Sequence, residues 1–204
     1  MTTPVSPAKL DRETLREEIE KKYCEVALNP EEGFHFHVGR PLAAMLGYNT
    51  ADVDWLPEGT VKSFAGMGNP LGMGAPKPGS TIVDVGCGAS FDTLLAAKAA
   101  GPDSTVIAID MTPEMIEKTA QGAAELGLTN VETRHGYAEE LPLDDNTADL
   151  LISNGVINLT PDKLVTLREI ARVVKPGGRI QIADIVVERP VPQDAKDDIE
   201  LWSG

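Results

Sequence analysis

Hydrophobic and polar positions divide the chain into two textures, and the regular one begins at residue 81. There, short apolar runs alternate with longer amphipathic ones. "TIVDV", Thr81 to Val85, reads as a short strand, and "FDTLLAAKAAG" after it as a helix closed by Gly101. "TVIAID" is a second strand. "MTPEMIEKTAQGAAELG" is a helix with Thr112 at the N-cap, Pro113 in the first turn and Gly127 at the C-terminal end. "VETRHG" and "TADLLIS" supply a third and a fourth strand. The next helix is expected to start at Thr160 and Pro161 and to run through "DKLVTLREIARVV"; "GRIQIADIV" is the fifth strand. Strands alternating with helices imply parallel pairing with helices on both faces, a Rossmann-like, doubly wound α/β sheet.

Before residue 81 the texture is irregular. Residues 8 to 28 read as an amphipathic helix, because Leu15, Ile19, Tyr23 and Val26 recur at helical spacing among charged residues. Residues 29 to 80 carry turn signals such as "GNPLGMGAPKPG", which leave room only for short helices around "RPLAAMLG" and "DVDWL". The expected organisation is a helical and loop cover over residues 1–80, followed by a ligand-binding domain over 81–204. Prolines and glycines suit a cover that wraps the domain without a second core. Tyr23, Phe34, Phe36, Met45, Trp55 and Phe64 are its candidate wall residues.

Composition narrows the function classes. The 204 residues are 42% hydrophobic and 25% charged, ordinary for one globular domain with an extension. No run of 18 apolar residues predicts a membrane span, and the acidic N-terminal stretch lacks the apolar core of a signal peptide. The net charge of −14 and the absence of a Lys/Arg cluster argue against a nucleic-acid partner. Two cysteines, Cys24 and Cys87, are too few for a disulfide framework, which points to a reducing cytoplasm.

The chemistry concentrates in "VDVGCGASFD". A strand, a tight glycine turn and a helix let backbone approach a ligand closely, and dinucleotides, nucleoside triphosphates and S-adenosylmethionine all use such turns. Gly86 permits the turn and Gly88 lets a ligand lie against the backbone. A dinucleotide fingerprint wants a third glycine where Phe91 stands, and a triphosphate loop wants a lysine that "GASFD" lacks. Asp110 closes the second strand 22 residues after Gly88, where a carboxylate can accept both ribose hydroxyls of an adenosine moiety.

"VDVGCGASFD", "VIAIDMTPEMIEKT", "AEELPLDDNTADLLISNGVIN" and "EIARVVKPGGRI" together resemble the class I S-adenosylmethionine-dependent methyltransferases over Thr81 to Val187. "IDMTPEMIEK", "ISNGVINLTPDK", "VVKPGGRIQIADIV" and the upstream "FAGMGNP" resemble the arsenite methyltransferase branch. The resemblance implies S-adenosyl-L-methionine as cofactor. Asp84, Gly86 and Gly88 would then line its methionine portion, Asp110 would hold the ribose, and Met111 would pack on the adenine. Tyr137, Ala138 and Glu139 would border the adenine edge, Tyr137 standing where many relatives carry an acidic residue. Asn154 would face the methionine carboxylate or the methyl group.

The sequence departs from that branch where its arsenic-binding cysteines stand. Met67 and Gly155 occupy two of those places. The expected function is therefore methyl transfer to a small-molecule acceptor other than arsenite; the alternative is a non-catalytic cofactor-binding module or a truncated inactive paralogue. Substrate-side candidates are Tyr23, His37, Asn69 and Asn158. His35 and His37 would share a face of an extended segment, but the third histidine, His135, is remote, so no metal site is expected. Relatives usually continue with two more strands. Their apparent loss would leave the fifth strand as an exposed edge, through which a homodimer could form.

Overall fold

Five parallel strands organise the molecule. The structure, a computed structural model, describes residues 12–28, 37–188 and 191. Phe34, His35 and Phe36 lie outside the described residues. The strands are β1 (Thr81–Val85), β2 (Thr105–Asp110), β3 (Val131–His135), β4 (Ala148–Asn154) and β5 (Val174–Ala183). They lie in the order β3-β2-β1-β4-β5, with every neighbouring pair parallel. The chain runs outward from β1 in one direction and resumes from β4 in the other. A crevice therefore opens between the C-terminal ends of these two strands.

Alternation along β1 sorts its side chains onto two cores. Ile82 joins Val106, Leu150 and Ile152 against Ala96, Ala97 and Ala100 of α5 (Phe91–Ala100). Val83 and Val85 join Ile107, Ile109 and Leu151 against Ile170 and Val173 of α7 (Lys163–Val173). Each large side chain so buried stabilises the fold by roughly 1.5–3 kcal/mol. The α6 helix (Pro113–Glu125) packs beside α5 on β2 and β3.

The N-terminal segment forms α1 (Arg12–Leu28), α2 (Gly39–Met45), α3 (Thr50–Trp55), α4 (Glu58–Lys62) and a 3-10 turn at Pro70–Met73. It does more than wrap. Leu42, Val53, Leu56, Val61 and Phe64 build a core with Phe91, Leu94 and Leu95 of α5. The expectation of a coreless cover is corrected here: the short helices are spaced so that their apolar positions meet one helix of the sheet.

Three boundaries also differ from expectation, the first being the start of β5, at Val174 and not at Gly178. The last helix begins at Lys163, because the Asp162 carboxylate caps it by accepting the Val165 N–H at 3.1 Å. The Thr160 hydroxyl instead donates to the Ile157 carbonyl, inside a 3-10 turn at Ile157–Leu159. β5 ends at Ala183 because the next residue, Asp184, turns back to the turn after β4. Its carboxylate accepts the N–H groups of Ile157 and Asn158 at 2.7 and 3.2 Å. No helix among the described residues is long and apolar enough to cross a membrane.

Candidate functional site

The crevice at the ends of β1, β2 and β4 deepens into a cleft of about 1080 Å3, open solvent at its mouth included. Its floor is the turn after β1. Gly86 and Gly88 have φ of +71° and +51°, in the left-handed region that suits glycine. A side chain on Gly86 would overlap the methyls of Val156, whereas the space beyond Gly88 is empty to 4 Å. Gly86 is therefore glycine for the fold, and Gly88 leaves bare backbone facing the cleft.

Asp110 forms the second wall. Its Oδ2 accepts the Gly88 N–H at 2.8 Å and its Oδ1 the Thr112 N–H at 2.9 Å. These bonds lock the carboxylate to the glycine turn and cap the approach to α6. A carboxylate oxygen has two lone pairs, so each retains one acceptor site. Burial raises the Asp110 pKa, and the backbone donors oppose that rise.

Behind the turn stand two further acids. The Thr93 hydroxyl donates to Asp84 at 2.6 Å. Burial, and secondarily the charge of Asp92, push the Asp84 pKa to about 8. Burial likewise raises Asp92 to about 6, opposed by donors from Asn154 and Tyr48. Glu139 on the opposite wall is paired with Arg16 at 3.2 Å. The cleft is thus acidic, with apolar surface from Ile109, Met115, Val156 and Leu159.

The cover closes one side. Arg16, Ile19 and Tyr23 of α1 line the cleft, joined by Thr60, Ser63 and Phe64. The Arg16 guanidinium also lies 4.8 Å from the centre of the Tyr137 ring, so α1 is held at two points across the mouth. Burial, and then the charges of Asp110 and Asp184, push the Tyr23 pKa up to about 12. The phenol stays a proton donor at neutral pH.

Of the residues singled out in the sequence, Asp84, Gly86, Gly88, Asp110, Met111, Ala138, Glu139, Asn154 and Tyr23 line this cleft. Tyr137 does not; its ring turns toward Arg16 and toward His135, 5.9 Å away. His37 is exposed and off the cleft. Asn69 accepts the Gly72 N–H at 2.9 Å and caps the first 3-10 turn. Asn158 sits in the second, its N–H on Asp184. Met45 is 69% exposed, and Trp55 packs on the cover's core with Lys98 over its ring. His37, Asn69, Asn158, Met45 and Trp55 leave the wall because they serve local turns, solvent or the cover's own packing. Asp92 and Arg16 were missed; a lone carboxylate inside the apolar "FDTLLAA" was the signal for the first. Among the described residues no group of three or more His, Cys, Asp or Glu is arranged to hold a metal ion.

Comparison with known proteins agrees with this geometry. A family model described as a methyltransferase domain matches residues 76–204. An arsenite methyltransferase of Halobacterium salinarum is 42% identical over 159 residues, covering 78% of this chain and 40% of that protein. A demethylmenaquinone methyltransferase of Bacillus cytotoxicus is 39% identical over 104 residues, covering 51% of this chain and 44% of that protein. The crystal structure of an arsenic(III) S-adenosylmethionine methyltransferase from Chlamydomonas reinhardtii superposes with a TM-score of 0.60 at 34% identity, covering 76% of this chain and 51% of that one. The chain spans about half the length of these relatives or less. With its parallel sheet, its switch-point cleft and this match over more than half its length, the chain belongs to the methyltransferase-domain family and has the class I fold of S-adenosylmethionine-dependent methyltransferases.

Proposed function

We propose that this chain is an S-adenosylmethionine-dependent methyltransferase acting on a small-molecule acceptor other than arsenite. The carrying observation is the cleft itself: bare backbone at Gly88, an anchored carboxylate at Asp110, and acidic walls without a matching set of cations. S-adenosylmethionine fits this donor set. Asp110 keeps one free lone pair on each oxygen for the ribose hydroxyls, Met111 and Ala138 offer apolar contact for a base, and Asp84 and Asp92 suit a positively charged ligand. When bound, the cofactor supplies an electrophilic methyl group on a sulfonium. The chain's own part is to bind, to orient and, through α1 and Phe64, to exclude water. Tyr23 supplies a protonated hydroxyl on the cover side of the cleft.

Asp110→Ala is expected to weaken binding of S-adenosylhomocysteine by about 1.5–3 kcal/mol, the scale of hydrogen bonds to a charged group. Titration calorimetry checks this; unchanged affinity would remove Asp110 from the site.

Two observations favour an acceptor other than arsenite. Met67 and Gly155 face one another, a side chain on Gly155 lying 3.0 Å from Met67 Cγ, so this spot holds a thioether and no thiol. The thiols of Cys24 and Cys87 are both raised in pKa, chiefly by burial, whereas thiolates are what bind soft metalloids. Incubation with arsenite and labelled S-adenosylmethionine is expected to yield no methylated arsenic above background by mass spectrometry. Efficient turnover would defeat this assignment. The same missing thiols favour a second reading, a cofactor-binding module without catalysis. It predicts that no acceptor drives formation of S-adenosylhomocysteine.

A further inference from the structure

We infer that Tyr48 is a positioning residue for the proposed methyl transfer, its hydroxyl holding the loop Gly66–Gly68 against the cleft through Asp92 and Asn154. This rests on the methyltransferase reading above.

Tyr48 sits just beyond α2, far in sequence from the glycine turn, and is buried. Its ring packs edge-on against Phe64 and Phe91, with centroids 5.4 and 4.9 Å away. Phenylalanine would meet that packing need equally well. The hydroxyl is a separate feature, and burying one costs free energy unless it is hydrogen-bonded. Here it lies 2.6 Å from Asp92 Oδ1 as donor, and 3.0 Å from the Gly68 carbonyl.

Asp92 passes the link onward. Its second oxygen accepts from Asn154 Nδ2 at 2.8 Å. Asn154 is thereby oriented with its carbonyl toward the loop, where Oδ1 accepts the N–H groups of Met67 and Gly68 at 2.7 and 3.0 Å. Its Nδ2 also reaches the Gly68 carbonyl at 2.9 Å. One asparagine at the end of β4 thus grips the loop by three backbone groups, and the Tyr48–Asp92 pair sets which way its amide points. Gly66, on the cleft wall, has no room for a side chain because Asn154 and Phe64 fill the space. Loop, asparagine and acid form one unit, and each reaches the cleft, through Gly66, Asn154 and Asp92.

The test compares wild type with Tyr48→Phe, which keeps the ring and removes the donor. Amide exchange read residue by residue by NMR is expected to quicken on the order of tenfold at Met67 and Gly68, the scale of one lost hydrogen bond to a charged group, while β1 and β4 stay protected. Val53→Ala, a packing change in the same core, is expected to lower Tm without singling out those amides. S-adenosylhomocysteine binding, followed against pH, supplies a second readout. The titratable groups facing Asp92 are Tyr48 from the cover and Asp84 from β1, with Asp110 acting on Asp84. Losing the Tyr48 donor moves the profile's midpoint upward and weakens binding about tenfold. Wild-type exchange at Met67 and Gly68, exchange rising only in step with the whole chain, or an unmoved pH midpoint would each overturn the inference. Should Tyr48→Phe fail to fold, Asp92→Asn, which sets a donor against Asn154, is expected to free the same two amides, and unchanged exchange there overturns it. If wild type does not bind S-adenosylhomocysteine, the methyltransferase reading falls, and exchange at Met67 and Gly68 still decides what Tyr48 holds.

Discussion

Gly86→Ala is expected to destabilise the protein by about 2–5 kcal/mol, whereas Gly88→Ala costs only about 1–2 kcal/mol and abolishes binding of S-adenosylhomocysteine. Both residues have positive φ, so either alanine carries the left-handed penalty of about 1–2 kcal/mol. The difference lies in what the new methyl meets. At Gly86 it overlaps Val156, a short and stiff side chain that cannot swing away, which adds an overpacking cost of roughly 1–3 kcal/mol. At Gly88 it meets no protein atom within 4 Å and enters the open cleft, the space proposed for the cofactor. Thermal unfolding with and without S-adenosylhomocysteine separates the two. Gly86→Ala is expected to lose roughly 5–15 °C in Tm. Gly88→Ala is expected to lose only roughly 2–8 °C and to show no ligand-induced rise. Wild-type affinity in Gly88→Ala would take the ligand off the turn, and a Tm in Gly86→Ala no lower than in Gly88→Ala would show that Val156 yields.

The central strands β1 and β2 were legible because they are buried on both faces and short. "TIVDV" and "TVIAID" are apolar runs bounded by turn residues, too short for helices and rich in β-branched side chains. The cleft wall around Gly88 and Asp110 was legible for a related reason: a glycine turn and a strand-end acid act through local backbone geometry, which sequence spacing encodes. The cover was less so. Its helices of five to seven residues bury only a few positions each, and short windows carry little periodicity. His37 drew attention as a reactive side chain, yet chemistry alone does not place a residue; exposure at the start of α2 leaves it outside. The end of β5 was misjudged because "ADIVV" keeps strand-like composition past the point where Asp184 leaves the ladder to bind Ile157 and Asn158, a contact across 27 residues. Tyr48 and Asp92 stand 44 residues apart and meet only once the cover packs on α5. No local pattern announces such a pair.

The free protein is expected to lose stability as pH rises from about 4 to about 8, and ligand binding to strengthen over the upper part of that range. Asp84 and Asp92 face the cleft with pKa values of about 8 and about 6, raised chiefly by burial. In the unfolded chain both titrate near an ordinary carboxylate value of about 3.9. Between those limits the folded state holds more protons than the unfolded one, so unfolding releases protons and stability falls with rising pH. Each such proton contributes about 1.4 kcal/mol per pH unit. Asp92 and Asp84 contribute alike up to about pH 6; Asp84 alone sustains the slope from there to about pH 8, where it levels off. Asp149 and Glu169 have lowered pKa values, held down first by Lys175 and by Arg172. Their stabilisation is lost only as pH falls below the ordinary carboxylate range, outside this window. A cationic ligand reverses the preference of Asp84, because the charged carboxylate then has a partner. Binding at pH 7 must accordingly release a proton, and affinity is expected to climb by up to about tenfold per pH unit between pH 6 and 8. Calorimetry in buffers of different ionisation enthalpy counts the proton, and Tm against pH follows the free protein. Asp84→Asn keeps an acceptor for the Thr93 hydroxyl and removes the charge. It is expected to flatten the pH 6–8 slope, to raise Tm at pH 8 and to weaken binding there. A Tm of the free wild type that holds level or rises from pH 5 to 8 would mean that Asp84 is already ionised in the fold, with a counter-charge that the cleft walls do not supply.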